Sequence, residues 1–181
     1  MQTVSRLTDY FTPTHYQLSL TTNRIERTFD GIVTINGLSP LAADKVVVHS
    51  KDLTITSITF DGKAADFSVG DNDELTIIHP DIHPGRHIIV IAFSGKITDA
   101  MHGLYPCYYE HEGTKKELLA TQFESHHARE VFPCIDEPDA KATFDVTLTT
   151  EQDITVLGNM PVKQQKVETA SSLPPLTPHR V

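Results

Sequence analysis

Apolar residues recur at every second position along most of this chain, and that spacing restricts it to β-structure. Tyr16, Leu18 and Leu20 alternate with polar residues, as do Phe29, Gly31, Val33 and Ile35. Leu75 with Ile77, Ile89 with Ile91 and Phe93, and Phe144 with Val146 and Leu148 repeat the pattern. Successive side chains of an extended strand point to opposite faces, so these segments bury one face and wet the other. Val46-Val47-Val48 is a short β-branched run. Leu53 and Ile55 share one face while Ile58 and Phe60 take the other, which predicts a bulge near Ser57. Asp61-Gly62, Gly70-Asp71-Asn72-Asp73, His83-Pro84-Gly85, Glu112-Gly113 and Gly158-Asn159 punctuate the runs as turns. Many short strands with such punctuation predict an all-β fold with very little helix, an antiparallel β-sandwich or related curved sheets. Only Glu124 to Val131 lacks alternation; one or two helical turns are expected there, and Pro133 and Pro138 exclude regular structure just beyond.

The chain's 181 residues are enough for one domain with a sizeable core. Residues 1–169 are expected to form a single β domain. Residues 170–181 carry Ser171, Ser172, Pro174, Pro175 and Pro178 and read as an extended Pro/Ser-rich segment at the truncated end of a longer chain. The formal net charge of -9 argues against nucleic acid and anionic lipid as partners, since both demand clustered Lys and Arg. No apolar run is long enough for a bilayer, the longest being Ile88 to Phe93. The N-terminus has no apolar signal-peptide core, no N-x-S/T site occurs, and the two cysteines, Cys107 and Cys134, cannot build a disulfide framework. Together these features predict a cytoplasmic protein.

Ten histidines raise the question of zinc. His111-Glu112 opens an H-E pair, but Lys115 stands where H-E-x-x-H needs its second histidine, and Gly113 breaks the helix that would align two imidazoles. Adjacent His126 and His127 point apart in any regular structure, and Cys134 has no second cysteine nearby. His79, His83 and His87 read as incidental to a proline turn. No G-x-S-x-G, G-x-G-x-x-G or P-loop occurs. Cys107 and Cys134 read as small buried hydrophobes. These residues alone describe a β-rich binding or scaffold domain.

One segment, Leu118 to Leu148, stands apart. It contains Ala120-Thr121-Gln122-Phe123-Glu124, Ala128-Arg129, Phe132-Pro133-Cys134, Asp136-Glu137-Pro138 and Lys141-Ala142-Thr143-Phe144. In this order it resembles the signature of the N-terminal β domain, saddle-like in form, of the M1 family of zinc aminopeptidases. Pro13-Thr14-His15-Tyr16, Phe29-Asp30-Gly31, Gly103-Leu104-Tyr105 and Asn159-Met160-Pro161 extend the likeness over nearly the whole chain. The family's G-A-M-E-N and H-E-x-x-H motifs are absent from these residues.

The resemblance implies that the zinc ligands and catalytic base lie in a downstream catalytic domain, with no catalytic residue, no metal ligand and no cofactor in this chain. The chain alone is therefore expected neither to bind zinc tightly nor to cleave peptides. It further implies that Gln122 and Glu124 are substrate-binding. Glu124 would hold the free α-ammonium of a peptide and Gln122 would line the pocket for its first side chain. The implied partners are the substrate N-terminus and the catalytic domain. Glutamate at 124, where the epoxide-hydrolysing branch tends to carry Gln, favours a plain aminopeptidase. Arg129, Asp136, Glu137 and Lys141 read as structural charges, and Phe132 and Phe144 as core anchors. Glu124 paired with Arg129 is the simpler alternative for that carboxylate. A non-catalytic scaffold derived from the same family is the alternative function, and a carbohydrate-binding or adhesion module a third.

Overall fold

The structure, a computed structural model, describes residues 6–152 and 154–167 and the backbone of 176–180. The strands run in chain order as β1 (Thr12–Asn23), β2 (Thr28–Ser39), β3 (Ala43–His49), β4 (Thr54–Phe60), β5 (Lys63–Ala64), β6 (Asp66–Val69) and β7 (Glu74–Ile82). They continue as β8 (Gly85–Lys96), β9 (Gly103–His111), β10 (Thr114–Gln122), β11 (Thr143–Glu151), β12 (Gln164–Gln165) and β13 (Leu176–Arg180). Helix among the described residues is confined to single 3-10 turns at Leu7–Asp9 and Ala128–Glu130. The expected helical turns over Glu124 to Val131 thus shrink to three residues.

The largest sheet has the order β12-β13-β11-β1-β2-β8-β4-β5, beside a β3-β7-β6 sheet and a β10-β9 hairpin. Most neighbours are antiparallel, but β1 and β11 run parallel, Tyr16 opposite Phe144. Alternation cannot distinguish the two directions, because both place side chains with period two. Residues 168–175 and 181 lie outside the described residues. Of the expected extended tail, Leu176–Arg180 forms β13 against β11.

Turn chemistry sets the register. Asp61-Gly62 has φ of 48° and 79°, and Glu112-Gly113 has 52° and 72°. Positive φ at both central residues gives the primed turn whose twist matches a hairpin. The second turn pairs His111 with Thr114 and carries the register down to Gly103 opposite Gln122. The bulge expected near Ser57 lies between Ile55 and Ser57.

The alternating residues converge on one core. Phe29, Val33 and Ile35 of β2, Ile89, Ile91 and Phe93 of β8, and Ile58 and Phe60 of β4 join Val46 and Val48 of β3 and Leu75 and Ile77 of β7 in a single buried cluster. The three-stranded sheet therefore closes over one face of the large one. Gly31 holds a core-facing position because Phe93 lies across it; a Cβ there would stand 2.3 Å from the Phe93 ring. His79 and His87 are more than incidental to their turn: both are buried and both rings lie against Phe60.

Phe132 is a core anchor as expected, but Phe144 is 48% exposed. Its place on β11 stacks it flat on Tyr16 at 4.8 Å and leaves its outer side open. Tyr16 itself is buried, and its hydroxyl accepts the Ile135 N–H at 3.2 Å. Tyr16→Phe is expected to cost about 1–3 kcal/mol, because it strands a buried donor. Urea unfolding would measure this, and a change within error would show that the bond contributes nothing.

Candidate functional site

The β9–β10 hairpin delivers the two sequence-predicted site residues to its open end. Gln122 is the last residue of β10, and Glu124 begins the turn that follows. Glu124 therefore lies beyond the strand, and the two residues do not share a strand face. A local bond joins them instead: the Glu124 N–H donates to Gln122 Oε1 at 3.1 Å. Both side chains are exposed. Glu124 does not pair with Arg129, whose guanidinium serves Asp136 and Asp73. Among the described residues the Glu124 carboxylate has no cationic partner, so it is free to accept one from outside.

The irregular chain after Glu124 is pinned by hydrogen bonds that replace a sheet ladder. The His127 N–H returns to the Phe123 carbonyl at 3.0 Å. His49 and Cys134 exchange both backbone bonds, at 2.7 and 3.0 Å. The Asp136 N–H donates to His49 Nδ1 at 3.1 Å. Arg129 binds Asp136 Oδ2 through Nε at 3.1 Å and the Asp136 carbonyl through Nη2 at 3.2 Å. Glu137 accepts from the Leu7 N–H at 2.8 Å, and Asp139 pairs with Arg6. The structural reading of Arg129, Asp136 and Glu137 thus has partners, whereas Lys141 is exposed and forms no ion pair among the described residues. Cys134 is buried, and burial pushes its thiol up, which disfavours the thiolate that nucleophilic chemistry requires. His111 ends β9 opposite Thr114, and its imidazole lies 4.0 Å from the exposed carboxylate of Glu112.

The peptidase M1 N-terminal domain model matches residues 12–173. The chain belongs to the peptidase M1 N-terminal domain family. It is 47% identical over 162 residues to an aminopeptidase N of Lactococcus lactis subsp. lactis, a match covering 87% of this chain and 19% of that protein. It is 38% identical over 166 residues to a puromycin-sensitive aminopeptidase of Caenorhabditis elegans, covering 87% of this chain and 18% of that protein. With aminopeptidase M1 of Arabidopsis thaliana the identity is 35% over 175 residues, covering 90% and 20%. The chain spans about a fifth of the length of these relatives. No helix among its described residues is long and apolar enough to cross a membrane.

Around Glu130, in the chain that follows Glu124, this M1 N-terminal domain assembles a cluster that sequence reasoning missed. Glu130 Oε2 lies 2.5 Å from His102 Nδ1, and Oε1 lies 3.1 Å from His127 Nδ1 and 2.9 Å from Lys51 Nζ. The His127/Glu130 spacing of three, across a helical turn, was the one local signal; His102 and Lys51 arrive only through the fold. Burial works to raise the Glu130 pKa, but hydrogen bonds from Lys51, His127 and His102 outweigh it and hold the carboxyl at about 2.

A carboxyl depressed in the folded state contributes stability above its unfolded pKa, near 4.5, which is lost as pH falls through about 2. His49 acts in the same direction. Burial, then the neighbouring Arg129, lowers its pKa against the opposing pull of Asp136, Glu137 and Asp73, so the unfolded chain takes that proton first. Unfolding free energy is expected to fall from about pH 6.5 downward through His49. A second decline should follow below about pH 4.5 through Glu130. Glu130→Gln should flatten the lower limb in pH-dependent urea titrations; an unchanged limb would refute the assignment.

Proposed function

We propose that this domain helps an M1 zinc aminopeptidase recognise the free N-terminus of its peptide substrate. Glu124 accepts hydrogen bonds from the α-ammonium, and Gln122 lines the pocket for the first side chain. The observation that carries this reading is an exposed carboxylate that has no cation among the described residues and stands just beyond a hairpin whose turn fixes its register. A charge-assisted bond to an ammonium is the natural use of such a group. The expected zinc and catalytic base belong to a further domain, so residues 1–169 act as a β domain that shapes one wall of the cleft. Two unpaired thiols suit a cytoplasmic setting.

Acetylating the substrate amine tests the reading in a full-length enzyme carrying this domain. Turnover per substrate should fall roughly 10- to 150-fold through loss of this bond alone. A Glu124→Gln enzyme should discriminate less between free and acetylated peptides. Equal discrimination by both enzymes would remove Glu124 from the recognition step.

A further inference from the structure

We infer that His102, His127 and Glu130 form an exchangeable binding site for a borderline transition dication such as Zn2+, separate from the catalytic metal expected in another domain. The inference does not depend on the role of Glu124. Motif spacing predicts no zinc ligand in this chain, but spacing detects only ligands close in sequence. Here the hairpin strand β9 begins at Gly103 and sets His102 against the Ala128–Glu130 turn, 28 residues away.

One ligand atom from each residue can be chosen so that all three lie within 4.8 Å of one another. The two Nδ1 atoms stand 2.5 and 3.1 Å from the carboxylate oxygens. A tetrahedral zinc site with bonds of roughly 2.0–2.1 Å has edges of roughly 3.3 Å, so each of these two nitrogen–oxygen contacts must open by less than about 1 Å. The imidazole rings already lie nearly parallel, with centroids 4.1 Å apart. Gly103 keeps the carboxylate clear: a Cβ there would meet Glu130 Oε2 at 3.1 Å, and its φ of 66° disfavours other residues. The Glu130 side chain is 11% exposed and that of His102 36%, so the site is walled on one side and open to a water ligand on the other.

Two imidazoles and one carboxylate suit zinc, cobalt or nickel rather than calcium or magnesium, which demand oxygen donors. Each imidazole binds as the neutral ring through Nδ1, so the proton it now directs at Glu130 moves to Nε2. Lys51 opposes the metal, because its ammonium holds Glu130 Oε1 at 2.9 Å and repels a dication. That competition, with three protein ligands instead of four, makes the site exchangeable.

The test is calorimetric titration of the 181-residue chain with zinc chloride near neutral pH, read alongside imidazole NMR signals. One saturable site is expected, with the His102 and His127 signals moving and the buried His87 signal still. His102→Gln and His127→Gln should each weaken uptake by at least about 10-fold. Lys51→Met should tighten it, His111→Gln should leave it unchanged, and excess magnesium should not compete. No saturable uptake, or uptake indifferent to both His102 and His127 substitutions, would overturn the inference. Circular dichroism of each variant separates ligand loss from misfolding, and the movement of the wild-type NMR signals decides the matter without any variant.

Discussion

Replacing Glu124 by alanine in a full-length aminopeptidase carrying this domain should lower kcat/KM for a free-amine peptide roughly 10- to 150-fold. This corresponds to the loss of about 1.5–3 kcal/mol from one charge-assisted hydrogen bond. The fold should not change, because the Glu124 side chain is exposed and makes no ion pair among the described residues. What remains is the backbone bond from Glu124 N–H to Gln122 Oε1, which alanine keeps. If the ammonium is held equally in the ground and transition states, the loss falls on KM. If the contact also aligns the scissile bond, kcat falls as well. Gln122→Ala should have the smaller effect on amine recognition, since an amide carries no charge. A Glu124→Ala enzyme with unchanged kcat/KM and an intact circular dichroism spectrum would defeat the assignment.

Arg129→Met should destabilise the domain by about 3–5 kcal/mol, a large share of the roughly 5–15 kcal/mol typical of a folded domain. The Arg129 and Asp136 side chains are only 11% and 13% exposed. Methionine fills the volume but leaves the Asp136 carboxylate and carbonyl without their guanidinium partner. An uncompensated buried charge, more than the lost attraction, sets the cost. Removing both charges with Asp136→Asn in the same chain should therefore cost less than the sum of the single changes. Thermal or urea unfolding of the four proteins closes the cycle. A loss below about 1 kcal/mol for Arg129→Met would place the pair among weak surface bridges.

Much of the fold is written in local pattern. The strands over Tyr16 to Leu20, Phe29 to Ile35 and Ile89 to Phe93 follow from alternation, because a pleated strand buries every second residue. The Asp61-Gly62 and Glu112-Gly113 turns follow from residues that tolerate positive φ. Phe144 shows the limit. Its alternation marks a strand, but whether a layer covers that strand depends on sheet order, and here it is half exposed. The parallel pairing of β1 with β11 is illegible for the same reason, since period two carries no direction.

The site divides along the same line. Gln122 and Glu124 are reached through an ordered motif, and the structure adds that Glu124 is exposed and without a cation among the described residues. Arg129 could have been its partner; only the fold sends that guanidinium to Asp136 and Asp73. Of the groups that meet on Glu130, only His127 is near it in sequence; the arrival of His102 and Lys51 has no counterpart in spacing. By itself, then, the sequence determined the β class, the hairpin turns and the family, because each depends on neighbouring residues and their order. The tertiary structure alone decided which charges pair and which carboxylate stays open, because those contacts join residues brought together only when distant strands pack.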